Sequence, residues 1–284
     1  MATATLGHQS GQTSQTSSQS YVPREHGATA MALTPFVVAA ILQRQVYWQE
    51  LVALLAVVVA LIIKDPLVVI ARQRWVWKQE HPETAAARRT AAVELLLLLA
   101  CAIPLVLTRD WRWLSVLFLT SGAFTALAVA VNVRNRQRAV WFQVLSAIAL
   151  TGTSVAACLA GIGTVPGWCW VVWALCAVQA AAGIFVVHAR LDARIAARKS
   201  ERPSDGNRRA AFLFQIVLLV GTAVSAVFGH WFLAAALGIA ALGYLLDLRR
   251  QRDPASLQMP LKHVGQQALA LSITFALLLI AGLW

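Results

Sequence analysis

Charge is what this chain has least of. Asp, Glu, Lys and Arg make up 13% of its 284 residues, about half the share in a soluble globular domain. With 59% hydrophobic residues and a mean hydropathy of +0.66, a soluble fold of this length is excluded. Acid is scarcer than base, with 12 Asp and Glu against 24 Lys and Arg. The acids are scattered and form no paired carboxylates at the spacing of a hard-cation site, so no metal ligand set is read. Cysteine is limited to Cys101, Cys158, Cys169 and Cys176, without CxxC or zinc-type spacing, and these read as small apolar packing residues. Walker loops, HExxH, GxSxG and dinucleotide fingerprints are all missing. The first twenty residues, MATATLGHQSGQTSQTSSQS, have no apolar core. They are expected to be a disordered polar tail rather than a signal peptide, followed by one transmembrane domain over residues 21–284.

Long apolar runs are what the chain does have. Nine are found, at Ala28–Leu42, Leu51–Ile63, Ala91–Thr108, Leu114–Val131, Ala139–Leu159, Trp168–Val187, Ala210–Phe228, Trp231–Leu246 and Val264–Leu283. The first two are short for a bilayer crossing of about 20 residues; the stretch Pro66–Ala71 prolongs the second. Lys and Arg alternate between the connecting segments. The face holding the N-terminus carries Arg24, the loop from Lys64 to Arg89, Arg134–Arg138, Arg190–Arg209 and Arg249–Lys262, whereas the opposite face holds only Arg44, Arg109 and Arg112. The positive-inside rule then places the N-terminus in the cytoplasm and the C-terminus outside. Basic loops of this kind are explained by topology, and nucleic-acid binding is not expected. Trp75, Trp77, Trp111, Trp113, Trp168 and Trp170 fall at span ends, where indoles favour the interface. The fold class is an all-α polytopic bundle of about nine transmembrane helices. Neither broken helices nor inverted repeats show in the sequence.

An ionisable group in hydrocarbon costs roughly 2.5–3.5 kcal/mol on insertion scales, so each one near a span needs a reason. Arg24, Glu25 and His26 stand together before span one in VPREHGATAM. Pro23 and Glu25 suit a helix start and Arg24 an anchor, but an anchor does not require His26. His188 and Asp192 share a helix face at i and i+4 as span six leaves the membrane, where Asp192 would orient His188, or Arg190 and Arg194 would flank a phosphate. Asp65 ends span two and is expected to pair with Lys64 or Arg72. Glu94, one turn into span three, is expected to face the interior and pair with Arg88, Arg89 or His26. Asn132 closes span four, and Gln179 is expected to bond between helices.

PREHGA before an apolar span, VHARLDARIAARKSERP at the end of span six, and the C-terminal LKHVGQQALALSITFALLLI resemble the YwiC-like family of bacterial membrane proteins over roughly residues 21–284. The resemblance implies a bacterial cytoplasmic membrane and names no reaction. The layout of nine spans with large loops after spans two and six is also similar to that of UbiA prenyltransferases, whose Asp-rich loop motifs hold Mg²⁺ and an isoprenyl diphosphate. Here those loops offer only Asp65, Glu80 and Glu83, then Asp192, Glu201 and Asp205, among many arginines. No cofactor is expected, and Mg²⁺ only under that alternative.

The bilayer is the one certain partner. The functional expectation is binding or transfer of a lipid or isoprenyl phosphate at a cytoplasm-facing pocket of Arg24, Glu25, His26, Asp65, Glu94, Asn132, His188, Arg190 and Asp192. The alternatives are a carrier of a small anion or lipid, which needs polar residues through mid-bilayer, and a non-catalytic subunit, whose interior would be apolar throughout.

Overall fold

The computed structural model describes residues 26–79, 81–199, 205–259 and 261–284. Among them every regular element is a helix: α1 His26–Leu42, α2 Trp48–Ile62, α3 Lys64–Arg72, a π-turn Gln73–Trp77, α4 Glu83–Thr108, α5 Trp111–Val133, α6 Val140–Thr151, α7 Thr153–Gly161, α8 Gly167–Lys199, α9 Asp205–Val227, α10 Trp231–Arg250, the single turn α11 Pro254–Leu257, and α12 Leu261–Leu283. Eight segments are long and apolar enough to cross a membrane, with α2, α3 and the π-turn forming one and α6 with α7 another. The first expected span, Ala28–Leu42, falls in an apolar helix that is shorter, Gly27–Leu42. The protein is a polytopic helical membrane protein.

That short helix is the hub. α1 packs against α2, α6, α7, α8 and α12, and Ala32 and Ala39 are fully buried. Two cores meet along α1 and α8. One joins Phe36 and Ala39 to Ala53, Leu105, Leu114 and the alanines of α7. The other joins Val38 to α8, α9, α10 and α12 through Ala182, Ala189, Ala211, Ala236, Ala240 and Ala241. Lipid tails are as apolar as Leu, so small side chains that let backbones approach supply the packing.

Two spans are interrupted, contrary to the expectation of unbroken helices. Pro66 lacks the N–H that would continue the ladder, and the second span kinks between α2 and α3, then loosens into the π-turn. The fifth breaks at Gly152, where Trp173 Nε1 donates to Ile148 O at 2.8 Å. Beside it Thr153 Oγ1 donates to Ala32 O, three residues before Pro35 in α1. Donors from neighbours thus cover carbonyls exposed by a kink, as an anhydrous interior demands.

Gln179 does bond between helices. Its Nε2 donates to Tyr244 Oη at 2.9 Å and to Ser272 Oγ at 3.2 Å, and Tyr244 Oη donates to Gln179 O at 3.1 Å. This knot joins α8, α10 and α12 and depends on Gly183, where a Cβ would stand 2.8 Å from Tyr244 Oη and 3.3 Å from its Cζ. Gly183→Ala is expected to cost about 1–3 kcal/mol by overpacking, and Tyr244→Phe about 1 kcal/mol. Thermal unfolding of the double variant should show less than the sum, because the phenol that clashes is the group removed.

Candidate functional site at the basic face

Helix geometry brings several expected residues to one level. Met31 of α1 packs with Ala147, Ala180 and Ile184. From Met31 back to His26 is about 7 Å of helix, and from Ile184 to His188 about 6 Å in the same direction, because α1 and α8 run antiparallel. On the other flank, α2 leaves the turn after α1 and reaches Lys64 after about 24 Å, the length of α1 itself. The α1 N-terminus therefore lies level with Lys64–Asp65 on one side and His188 on the other. Arg24 and Glu25 lie outside the described residues, and of His26 only the backbone is described.

The wall of α3, α4 and α5 carries Asp65, Glu94 and Asn132. α4 shows lipid most of its surface and buries a narrow stripe through Thr84, Ala87, Glu94, Cys101 and Leu105. Glu94 thus faces the bundle interior, as expected of an intramembrane acid, and its Oε2 has no hydrogen-bond partner. Asp65 lies 3.9 Å from Lys64 Nζ. Arg72 turns instead to α5, where Nη2 donates to Asn132 O at 2.9 Å and to Asn135 Oδ1 at 3.0 Å. Asn132 contributes its carbonyl there and spends its amide on Ala128 O.

The second wall is α6 with α8. His188 Nε2 lies 2.9 Å from Gln143 Oε1, and Asp192 Oδ2 accepts from Asn207 Nδ2 at 2.8 Å. Phe185, His188 and Asp192 follow one another at helical spacing on one face of α8. Below His188 an apolar groove of about 490 Å³ runs along the membrane-facing side, lined by Val140, Trp141, Val144, Leu145, Ile148 and Phe185.

Arg190 and Arg194 are placed elsewhere. Arg190 is 2% exposed; its Nη2 meets Asp247 Oδ1 at 2.6 Å and its Nη1 donates to Ser256 O at 3.3 Å. One turn on, Arg194 donates to Leu257 O and Met259 O. Both guanidinium groups clamp the α10–α12 connection rather than standing open toward a phosphate.

Three residues at the opposite face escaped the sequence reading. Glu50 is 5% exposed and accepts Tyr47 N–H at 3.3 Å. Gln43 donates to Ala39 O and Ala157 O. Arg109 donates to Ala160 O at 2.8 Å and to Gly161 O. The signal available was an acid opening a span on the face with only three arginines. Gln73 and Gln215 are also buried with both amide atoms unpartnered. Among the described residues no group of three or more His, Cys, Asp or Glu is placed to hold a metal ion.

Residues 22–158 match the family model of YwiC-like proteins. Over this stretch, just under half of its length, the chain is similar to YwiC-like proteins. The YwiC-like stretch takes in α1 to α6 and the first part of α7, hence Asp65, Glu94, Asn132 and Gln143, while His188, Arg190 and Asp192 follow it. Neither a curated protein nor a solved structure matches the chain.

Proposed function

We propose that this YwiC-like protein binds a lipid with an anionic, phosphate-bearing headgroup at its basic face, as the first step of holding or transferring that group. The observation that carries the reading is an apolar groove between α6 and α8, the two helices that the His188–Gln143 pair also joins. A hydrocarbon chain fits the groove, and the headgroup then meets a histidine, an amide and the positive end of a helix, all of which favour an anion. The arginine-rich loops draw anionic lipid to this face.

Native mass spectrometry of the detergent-purified protein tests it. The wild type is expected to retain an anionic lipid. Leu145→Trp, which fills the groove from a lipid-exposed position, should lower occupancy at least tenfold, about 1.4 kcal/mol. His188→Ala and Arg24→Ala should also lower it. A wild type without lipid, or equal occupancy in every variant, overturns the reading. Retention that requires Mg²⁺ would favour the prenyltransferase-like alternative. Its residues do not fit well: Asp65 stands beside Lys64, and Asp192 is bonded to Asn207 on a separate wall.

A carrier reading draws on a different observation. Buried polar groups run along α8 and α10, from Arg190 and Asp247 to Tyr244 and Gln179, and Gln215 on α9 is 1% exposed without a partner. The interior is therefore not apolar throughout, which weighs against a purely structural subunit. Flux of a labelled phosphate or lipid in proteoliposomes, abolished by Gln215→Leu, would favour the carrier.

A further inference from the structure

We propose that Cys158 and Cys169 form a disulfide that staples α7 to α8 at the arginine-poor face. Both are 0% exposed and belong to one packed cluster. They flank the short turn between two helices that pack on each other. Backbone bonds fix both ends of that turn: Cys158 O accepts from Ile162 N at 3.0 Å and Gly163 N at 3.2 Å, and Cys169 N donates to Pro166 O at 3.0 Å. The two thiols are free in this structure and lie in the same packed cluster on the two arms of the hairpin. Cysteines on the facing arms of a tight helical hairpin can reach bonding geometry by side-chain rotation once their Cα atoms lie within about 7 Å. Cys176 belongs to the other core, and Cys101 is on α4.

Compartment supplies the driving force. The distribution of arginine puts this face outside the cytoplasm, where thiol pairs are oxidised. The oxidant is a disulfide-bearing oxidoreductase of the exported class. One cysteine thiolate attacks its disulfide and displaces one sulfur; the other thiolate then resolves the mixed disulfide. The oxidoreductase leaves as a dithiol carrying the two electrons and two protons lost by the pair. Full burial in the finished fold requires that exchange precede the packing of α7 on α8.

The test is thiol counting. Membranes are solubilised in denaturing detergent with excess N-ethylmaleimide, then reduced, tagged with a maleimide polymer and run on a gel. Denaturation keeps burial from hiding a thiol. Wild type and Cys101→Ala/Cys176→Ala should each gain two tags per chain that depend on reduction, and Cys158→Ala/Cys169→Ala should gain none. Peptide mapping should recover the two cysteines cross-linked within one chain. Free thiols at both positions before reduction, or a bond from either to any other cysteine, overturn the proposal.

Discussion

Asp247→Ala is expected to be the most damaging single substitution in the protein, at about 3–5 kcal/mol. Its partner Arg190 is 2% exposed on α8, and the 2.6 Å contact to Asp247 is its one ion pair among the described residues. Removing the carboxylate leaves a guanidinium stranded among helices, with the Ser256 carbonyl at 3.3 Å as its remaining acceptor on Nη1 and none on Nε. Gln251, which bonds Asp247 Oδ2 at 3.2 Å and Val186 O at 3.1 Å, loses one of its two acceptors as well. Such a loss is a large part of a typical folding stability of about 5–15 kcal/mol. Asp247→Asn keeps an acceptor and loses the charge, so it should fall between wild type and Asp247→Ala. Arg190→Met combined with Asp247→Ala should recover most of the loss, because an apolar pair of similar volume replaces a buried ion pair at little cost. Thermal unfolding in detergent, followed by tryptophan fluorescence, reads the series. An Asp247→Ala protein within about 0.5 kcal/mol of wild type, the range of a neutral surface change, would mean that Arg190 finds its compensation elsewhere.

The same residues show where sequence reasoning stops. Apolar runs and alternating arginine located every membrane segment, because hydrocarbon imposes one rule along the whole chain. Gln179 was legible as an interhelical bond because a mid-span amide has few other uses. Arg190 and Arg194 looked like a phosphate clamp because their spacing on α8 was visible and their acceptors were not. Asp247, Ser256, Leu257 and Met259 lie on α10 and the segment after it, and only packing brings them there. The helix breaks were half legible. Pro66 was seen and taken as a prolongation of span two, while Gly152 looks like any glycine until Trp173 is found bonded beside it. The expected pocket divides in the same way. His188 and Asp192 share a face that periodicity reveals; that Asn132 answers Arg72 and Gln143 answers His188 follows from which helices touch.

At the opposite face, Gly161→Ala is expected to cost about 1–3 kcal/mol, toward the upper end. Gly161 closes α7 where three elements are tied together. Arg109 binds the last α7 carbonyls, Ala160 O and Gly161 O, a cation at the negative end of a helix. Gln43 just after α1 and Glu50 in the first turn of α2 bring their side-chain oxygens against Gly161. A Cβ here would collide with Gln43 Oε1, lie 2.5 Å from Glu50 Oε1 and 2.8 Å from Gln43 Cδ. Gln43 is the first to yield, and it gives up its bonds to Ala39 O and Ala157 O, the second reaching across to α7. Neighbouring glycines supply the comparison. Gly163 has φ +77 with only Arg109 Cδ at 3.6 Å and Nη1 at 3.9 Å, so its alanine carries backbone strain alone, about 1–2 kcal/mol. Gly167 has nothing within 4 Å, so its alanine should be neutral. Removing the colliding amide should offset the clash, so Gly161→Ala with Gln43→Ala should be less destabilised than the two losses added. Unfolding midpoints in the order Gly167→Ala, Gly163→Ala, Gly161→Ala from highest to lowest would locate the tie between α1, α2 and α7 at Gly161. Equal midpoints for Gly161→Ala and Gly167→Ala would mean that Gln43 and Glu50 turn aside freely, and that Arg109 alone holds this end of the bundle.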